Sequence, residues 1–185
     1  MHRFSVGAAS LELVRGDLTQ SDTDAIANAA NSMLAGGGGV DGAIHRAAGP
    51  ELMEALRGLK AELPGGLLAT GHAVLTPGFR LRAKHVIHCV GPIYDREGDR
   101  AAALLASCYR EAIAICRDRS ISTIAFPSIS TGVYGYPLSE AAPVALAAVR
   151  GALDAPGGPA LVRFVLFDDR TLEAYRSAAI AAFGG

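Results

Sequence analysis

The residues best suited to chemistry lie in one stretch, Asn28-Ala29-Ala30-Asn31-Ser32-Met33-Leu34-Ala35-Gly36-Gly37-Gly38-Gly39-Val40-Asp41-Gly42-Ala43-Ile44-His45. It sets a carboxamide, Asn31, and a carboxylate, Asp41, on either side of four consecutive glycines. A glycine run admits backbone angles that turn several N–H groups into one concavity, and a helix beginning behind it adds partial positive charge. The result is a cradle for phosphate. Taken singly, Asp41 reads as a charge favoured at a helix N-terminus, and Asn31 as a turn residue bonding its own backbone. Beside a bound sugar, a carboxylate can orient a water and take its proton, while a carboxamide can hold the sugar in place.

A second loop, Pro127-Ser128-Ile129-Ser130-Thr131-Gly132-Val133-Tyr134-Gly135-Tyr136-Pro137, also runs from a strand into a helix. Its hydroxyls and N–H groups suit a diphosphate, and Tyr134 can cover a sugar. Two familiar nucleotide motifs are excluded. A P-loop requires a lysine and a hydroxyl residue after its last glycine, where this chain has Val40-Asp41, and Asp41 would repel a terminal phosphate. A Rossmann fingerprint requires an acidic residue on a strand end about twenty positions on, and Glu62 lies past a helix instead.

The elements that must position these loops follow from periodicity. Short apolar runs, Leu11–Val14, Asp24–Ala30, His72–Thr76, His85–Val90, Thr123–Phe126 and Val162–Phe167, alternate with four helical segments, about Gly42–Lys60, Arg100–Arg117, Leu138–Leu153 and Arg170–Phe183. That alternation predicts parallel strands covered by helices on both faces. In the second helix Leu104, Leu105, Cys108, Ala112, Ile115 and Cys116 define the buried stripe, and in the third Pro143 is compatible only near the first turn. In such a sheet the loops after the strand ends share one crevice, so the two cradles face one ligand. Asp17, after the first strand pair, could accept a hydrogen bond from an adenine amino group, and Phe167 could stack on the ring.

Bulk properties narrow the function. Half of the 185 residues are hydrophobic, enough for one substantial core, so residues 1–185 read as a single domain. A net charge of -1 and a pI near 6.5 lack the basic footprint of non-specific nucleic-acid binding. No apolar stretch follows a basic start and none is long enough to cross a bilayer, so no membrane partner and a cytoplasmic location are expected. Cys89, Cys108 and Cys116 are an odd set in apolar segments, which suits reduced core thiols. His85 and His88 point to opposite faces of a strand, so no metal is expected, and His88 reads as a hydrogen-bonded core histidine.

Gly16-Asp17-Leu18-Thr19, Asn28-Ala29-Ala30-Asn31, Gly36 to His45, Gly91-Pro92 and Ser130 to Pro137 together resemble, in order, the signatures of macrodomains, and of their MacroD-type branch. The resemblance spans nearly the whole chain and implies a three-layer α/β/α sandwich with a mixed, largely parallel sheet of about six strands. It implies ADP-ribose as ligand: Asp17 and Leu18 at the adenine, Phe167 stacked on it, Gly38, Gly39 and Val40 on phosphate, and Ser130, Thr131, Gly132, Val133 and Tyr134 around the diphosphate and distal ribose. Asn31 and Asp41 would flank that ribose and hydrolyse the bond to it, without a cofactor. The substrates so implied are O-acetyl-ADP-ribose, mono-ADP-ribosylated proteins and ADP-ribosylated nucleic-acid ends; a non-catalytic ADP-ribose reader is the alternative. Departures from the pattern are Ala27, Ala35, Phe79, Cys89 and, at a position often tyrosine, Phe167.

Overall fold

Seven strands form one sheet in a computed structural model of the chain, which describes residues 1–184. In chain order the strands are β1 (His2–Val6), β2 (Ala9–Arg15), β3 (Ala25–Ala30), β4 (Ala73–Pro77), β5 (His85–Val90), β6 (Thr123–Phe126) and β7 (Leu161–Leu166). The helices are α1 (Gly39–Ala48), α2 (Glu51–Glu62), α3 (Tyr94–Glu97), α4 (Ala101–Asp118), α5 (Leu138–Leu153) and α6 (Asp169–Phe183). The sheet order is β1-β2-β7-β6-β3-β5-β4. The five central strands run parallel, while β1 and β4 pair antiparallel at the two edges.

Alternation along each strand divides the core into two layers. Leu11, Leu13, Ala27, Ile87, Cys89, Phe126, Phe164 and Leu166 pack with α4, α5 and α6, whereas Ile26, Ala30, Val86, Val90, Ala125 and Val165 pack with α1 and α2. This is the expected three-layer sandwich, with one strand more than the sequence suggested. The added strand, β1, pairs with β2 in register from His2↔Leu13 to Val6↔Ala9. Only Val6 of its five residues is fully buried, so it lacks the apolar run by which inner strands announce themselves.

Three helix expectations need correction. The segment Gly42–Lys60 is two helices, because Gly49 closes α1 at φ +88° and Pro50, which has no N–H to give, starts α2. Pro143 lies at the sixth position of α5, beyond the first turn. It is exposed, and the Ser139 carbonyl it leaves without a partner is on the same side of the helix. The buried stripe of α4 is also rotated: Tyr109 and Ile113 are in the core, and Leu104 and Ile115 only partly so.

All three cysteines are free and buried, and burial pushes the Cys108 and Cys116 thiols up to about 12 and the Cys89 thiol well above its ordinary value. No helix among the described residues is long and apolar enough to cross a membrane. An aromatic cluster centres the larger layer: Phe164 lies 5.7 Å from Phe126, 5.8 Å from Tyr109 and 4.9 Å from Tyr175, ring centre to ring centre. Phe164→Ala is expected to cost about 3–5 kcal/mol in urea unfolding, the range for emptying a fully buried aromatic site. A loss under about 1 kcal/mol would show that the cluster is not the packing centre.

Candidate functional site

Because the central strands are parallel, their C-terminal ends lie along one rim of the sheet. Gly16-Asp17 follows β2, Asn31 follows β3, Gly91-Pro92 follows β5, Pro127 follows β6 and Phe167 follows β7. Residues scattered over 150 positions of sequence are thereby gathered at one edge.

The first loop is shaped by Asn31 and a buried anchor. Asn31 Nδ2 donates to the Gly36 carbonyl at 2.9 Å, and the Ala35 N–H donates to Asn31 Oδ1 at 3.2 Å. Leu34 plugs into the core beside α1 and α2 while holding φ at +49°. The chain then enters α1 through Gly38, a cap residue without a side chain, with Gly39 at φ +55°. The first N–H groups of a helix have no acceptor within it, so those of Gly39 and Val40 are available at this end, where the helix dipole is positive.

Asp41 sits in that first turn with only 5% of its surface exposed. Asn28 Nδ2 donates to its Oδ1 at 2.7 Å. The other oxygen faces the loop: a Cβ built on Gly37 would lie 3.4 Å from Asp41 Oδ2 and 3.9 Å from Asn31 Nδ2. The two residues singled out from the sequence thus converge on Gly37. His45, one turn along α1, places Nε2 3.3 Å from Asp41 Oδ1, outside hydrogen-bonding geometry.

Asn28, His88 and Thr76 form a buried polar chain that sequence analysis did not assemble. Asn28 Nδ2 also meets His88 Nδ1 at 3.1 Å, and His88 Nε2 meets Thr76 Oγ1 at 2.9 Å. Desolvation, and then the charge of His45, hold the His88 imidazole down to about 3. The readable signal was a polar residue on the same face as Ile26 and Ala30, paired in register with a histidine.

The second loop is braced from below by hydroxyls. Tyr175 Oη donates to Ser128 Oγ at 3.1 Å and lies 3.5 Å from Tyr109 Oη, which accepts from the Ile129 N–H at 3.3 Å. Thr131 Oγ1 lies 2.8 Å from Ser128 Oγ and 3.1 Å from the Ser128 carbonyl. Ser130 takes φ +66°, and its Oγ is buried without a partner. It fills the space a side chain at Gly91 would need, since a Cβ there would come within 2.2 Å of Ser130 Oγ. The tip closes with the Gly135 N–H on the Gly132 carbonyl, leaving Val133 fully exposed. Burial, and then the Asp41 charge, hold the Tyr134 phenol above its ordinary value.

At the far end Asp17 caps a single 3-10 turn, Leu18–Gln20, accepting from the Thr19 N–H at 2.9 Å and from Thr19 Oγ1 at 2.8 Å. Leu18 is buried behind it, and a cleft of about 320 Å³ opens between Asp17, Val14, Val165 and Arg82. Phe167 stands 86% exposed just beyond β7. A cavity of about 380 Å³ near Gly7, Arg150 and Phe183 touches none of these residues. Among the described residues no group of three or more His, Cys, Asp or Glu could hold a metal ion.

A Macro domain family model matches residues 27–145, from β3 into α5. The chain belongs to the macro domain family. A macro domain-containing protein of Chlorobaculum tepidum is 50% identical over 171 residues, 92% of this chain and 96% of that one. An O-acetyl-ADP-ribose deacetylase of Salmonella typhimurium is 47% identical over 165 residues, 89% and 91% of the two chains. A variant of the Oceanobacillus iheyensis macrodomain solved with ADPR is 44% identical, covers 98% of this chain and 97% of that one, and superposes with a TM-score of 0.94.

Two measurements probe this macrodomain rim. Gly91→Ala should cost about 1–3 kcal/mol through overpacking against Ser130. Gly132→Ala, where an added Cβ meets nothing, should change stability by less than about 0.5 kcal/mol. His88, neutral when folded but free to protonate at about 6.5 when unfolded, withdraws stability as pH falls below that value and ceases to do so near 3. The slope should steepen from about half its full value at about pH 6.5 to about 1.4 kcal/mol per unit near pH 5, and His88→Gln should remove it.

Proposed function

We propose that residues 1–185 act as one macrodomain that binds ADP-ribose and hydrolyses the bond between its distal ribose and an acyl or protein group. The observation that carries this reading is Asp41: a buried carboxylate with one oxygen tied to Asn28 and the other turned toward Gly37 and Asn31. A phosphate cradle alone needs no such group, and a carboxylate beside it works against phosphate affinity.

In this reading the N–H groups of Gly38, Gly39 and Val40 take one phosphate, and the loop Ser130, Thr131, Gly132, Val133, Tyr134 takes the other and closes over the distal ribose. Asp17 and Leu18 meet the adenine edge in their cleft, and the exposed ring of Phe167 stacks on its face. Asn31 spends one amide hydrogen on Gly36, which keeps the loop folded, and offers the second to a ribose hydroxyl. Asp41 Oδ2 orients a water against the anomeric carbon or the attached acyl carbon and takes its proton as the new C–O bond forms. At the anomeric carbon the bond from ribose to the side-chain carboxylate breaks and the carboxylate leaves. At the acyl carbon the ester C–O bond breaks, the ribose oxygen leaves and takes the proton held by Asp41, and the acyl group is released as acetic acid or the side-chain acid.

The relatives support the chemistry in kind: one is named for deacetylating O-acetyl-ADP-ribose and another was solved with ADPR. Substrates of the same class are mono-ADP-ribosylated acidic side chains and ADP-ribosylated nucleic-acid ends, since each presents the same ribose to the same loops. Asp41→Ala should keep ADP-ribose affinity in calorimetry while turnover of O-acetyl-ADP-ribose and of ADP-ribosylated protein drops by about 10²-fold or more. Wild-type protein that binds ADP-ribose but turns over neither substrate would replace the hydrolase with a reader module.

A further inference from the structure

We propose that His88 is a positioning residue for Asp41, acting through the amide of Asn28; the inference rests on the catalytic reading of Asp41 given above. His88, Asn28 and Thr76 come from three neighbouring strands, β5, β3 and β4, and their side chains meet in the layer beneath α1 and α2. The first two are wholly buried and Thr76 is 2% exposed. No water competes for their hydrogen bonds, so each donor and acceptor is decided by its neighbours.

The order of donors runs one way. Asn28 Nδ2 carries two hydrogens and faces two acceptors, Asp41 Oδ1 at 2.7 Å and His88 Nδ1 at 3.1 Å. Reversing the amide would set its carbonyl oxygen against the carboxylate, acceptor on acceptor, at the shortest of these three contacts. It would also require a hydrogen on His88 Nδ1. A neutral ring has a single N–H; with Nδ1 accepting from Asn28 that hydrogen falls to Nε2, where Thr76 Oγ1, 2.9 Å away, accepts it. Asn28 Oδ1 is left buried without a partner. An orphan carbonyl costs about 1–3 kcal/mol, so the amide is oriented by its two donors and not by its acceptor.

The consequence reaches the rim. With Asp41 Oδ1 committed to Asn28, the carboxylate cannot rotate to share both oxygens with the loop, and Oδ2 stays directed at Gly37. Were His88 Nδ1 no longer an acceptor, one Asn28 hydrogen would be stranded, and the amide, held by the carboxylate alone, would shift to re-pair it and carry Asp41 out of place. The carboxylate would then lose its fixed aim while the phosphate cradle, built from other atoms, stayed whole.

Substitutions that mimic one ring nitrogen at a time test this. In His88→Asn the side-chain carbonyl takes the place of Nδ1, whereas His88→Gln reaches toward Thr76 and withdraws the acceptor from Asn28. With O-acetyl-ADP-ribose, His88→Asn should keep kcat within about threefold of wild type and His88→Gln should lose about 10²-fold, the penalty for a misaimed reacting group. ADP-ribose Kd should stay within about twofold for both, because the cradle is untouched. Equal turnover by the two variants, or losses that follow ADP-ribose affinity, would overturn the proposal.

Two further arms guard against variants that fail to fold. Thr76→Val, close to isosteric, should lower kcat about tenfold with affinity intact, and an unchanged kcat would count against the relay. NMR of nitrogen-labelled histidine in the wild-type protein should show His88 as the Nε2–H tautomer, with no titration down to about pH 5. An Nδ1–H tautomer, or an imidazolium at neutral pH, would overturn the hydrogen-bond order. Wild-type protein without turnover would sink the hydrolase reading instead, and the tautomer measurement would still decide the order of donors beneath Asp41.

Discussion

Parallel pairing of the five central strands is the constraint on which every other feature of this molecule rests. It forces each chain segment to leave the sheet at the same rim, and it requires helices to return the chain to the other end. Those helices need apolar partners on both faces, which explains the alternation of two cores through single strands. Without it, Asp17, Asn31, Gly91, Ser130 and Phe167 would have no reason to be neighbours. Antiparallel β1 and β4 end the sheet at its two edges.

The rim itself is built on two kinds of support. The first loop hangs from a helix terminus and is tied down by Asn31, Leu34 and the polar chain under Asp41. The second stands on a ladder of hydroxyls, Tyr109, Tyr175, Ser128 and Thr131, rising out of the aromatic cluster. Ser130 keeps a left-handed backbone and an unpartnered hydroxyl, at a cost of a few kcal/mol at most, because Ile129 and Tyr136 anchor the loop on either side.

Much of this was legible in the sequence for physical reasons. Apolar runs of four to six residues bounded by turn formers marked the inner strands, and the glycine run between Asn31 and Asp41 marked the rim. β1 escaped because an edge strand half open to water needs no apolar run, and the break at Gly49-Pro50 was hidden by helical periodicity continuing across it. The Asn28–His88–Thr76 chain escaped for a deeper reason. Its members are 12 and 60 positions apart, and each is unremarkable alone; only strand register brings them together.

The three core thiols have a practical consequence. With every native cysteine buried and reluctant to ionise, the described residues present no thiol at the surface near neutral pH. The tip of the second loop, by contrast, carries Val133 wholly in water. A cysteine placed there would react alone with a maleimide dye, so a fluorescent reporter could be set at the mouth of the site in the otherwise native sequence.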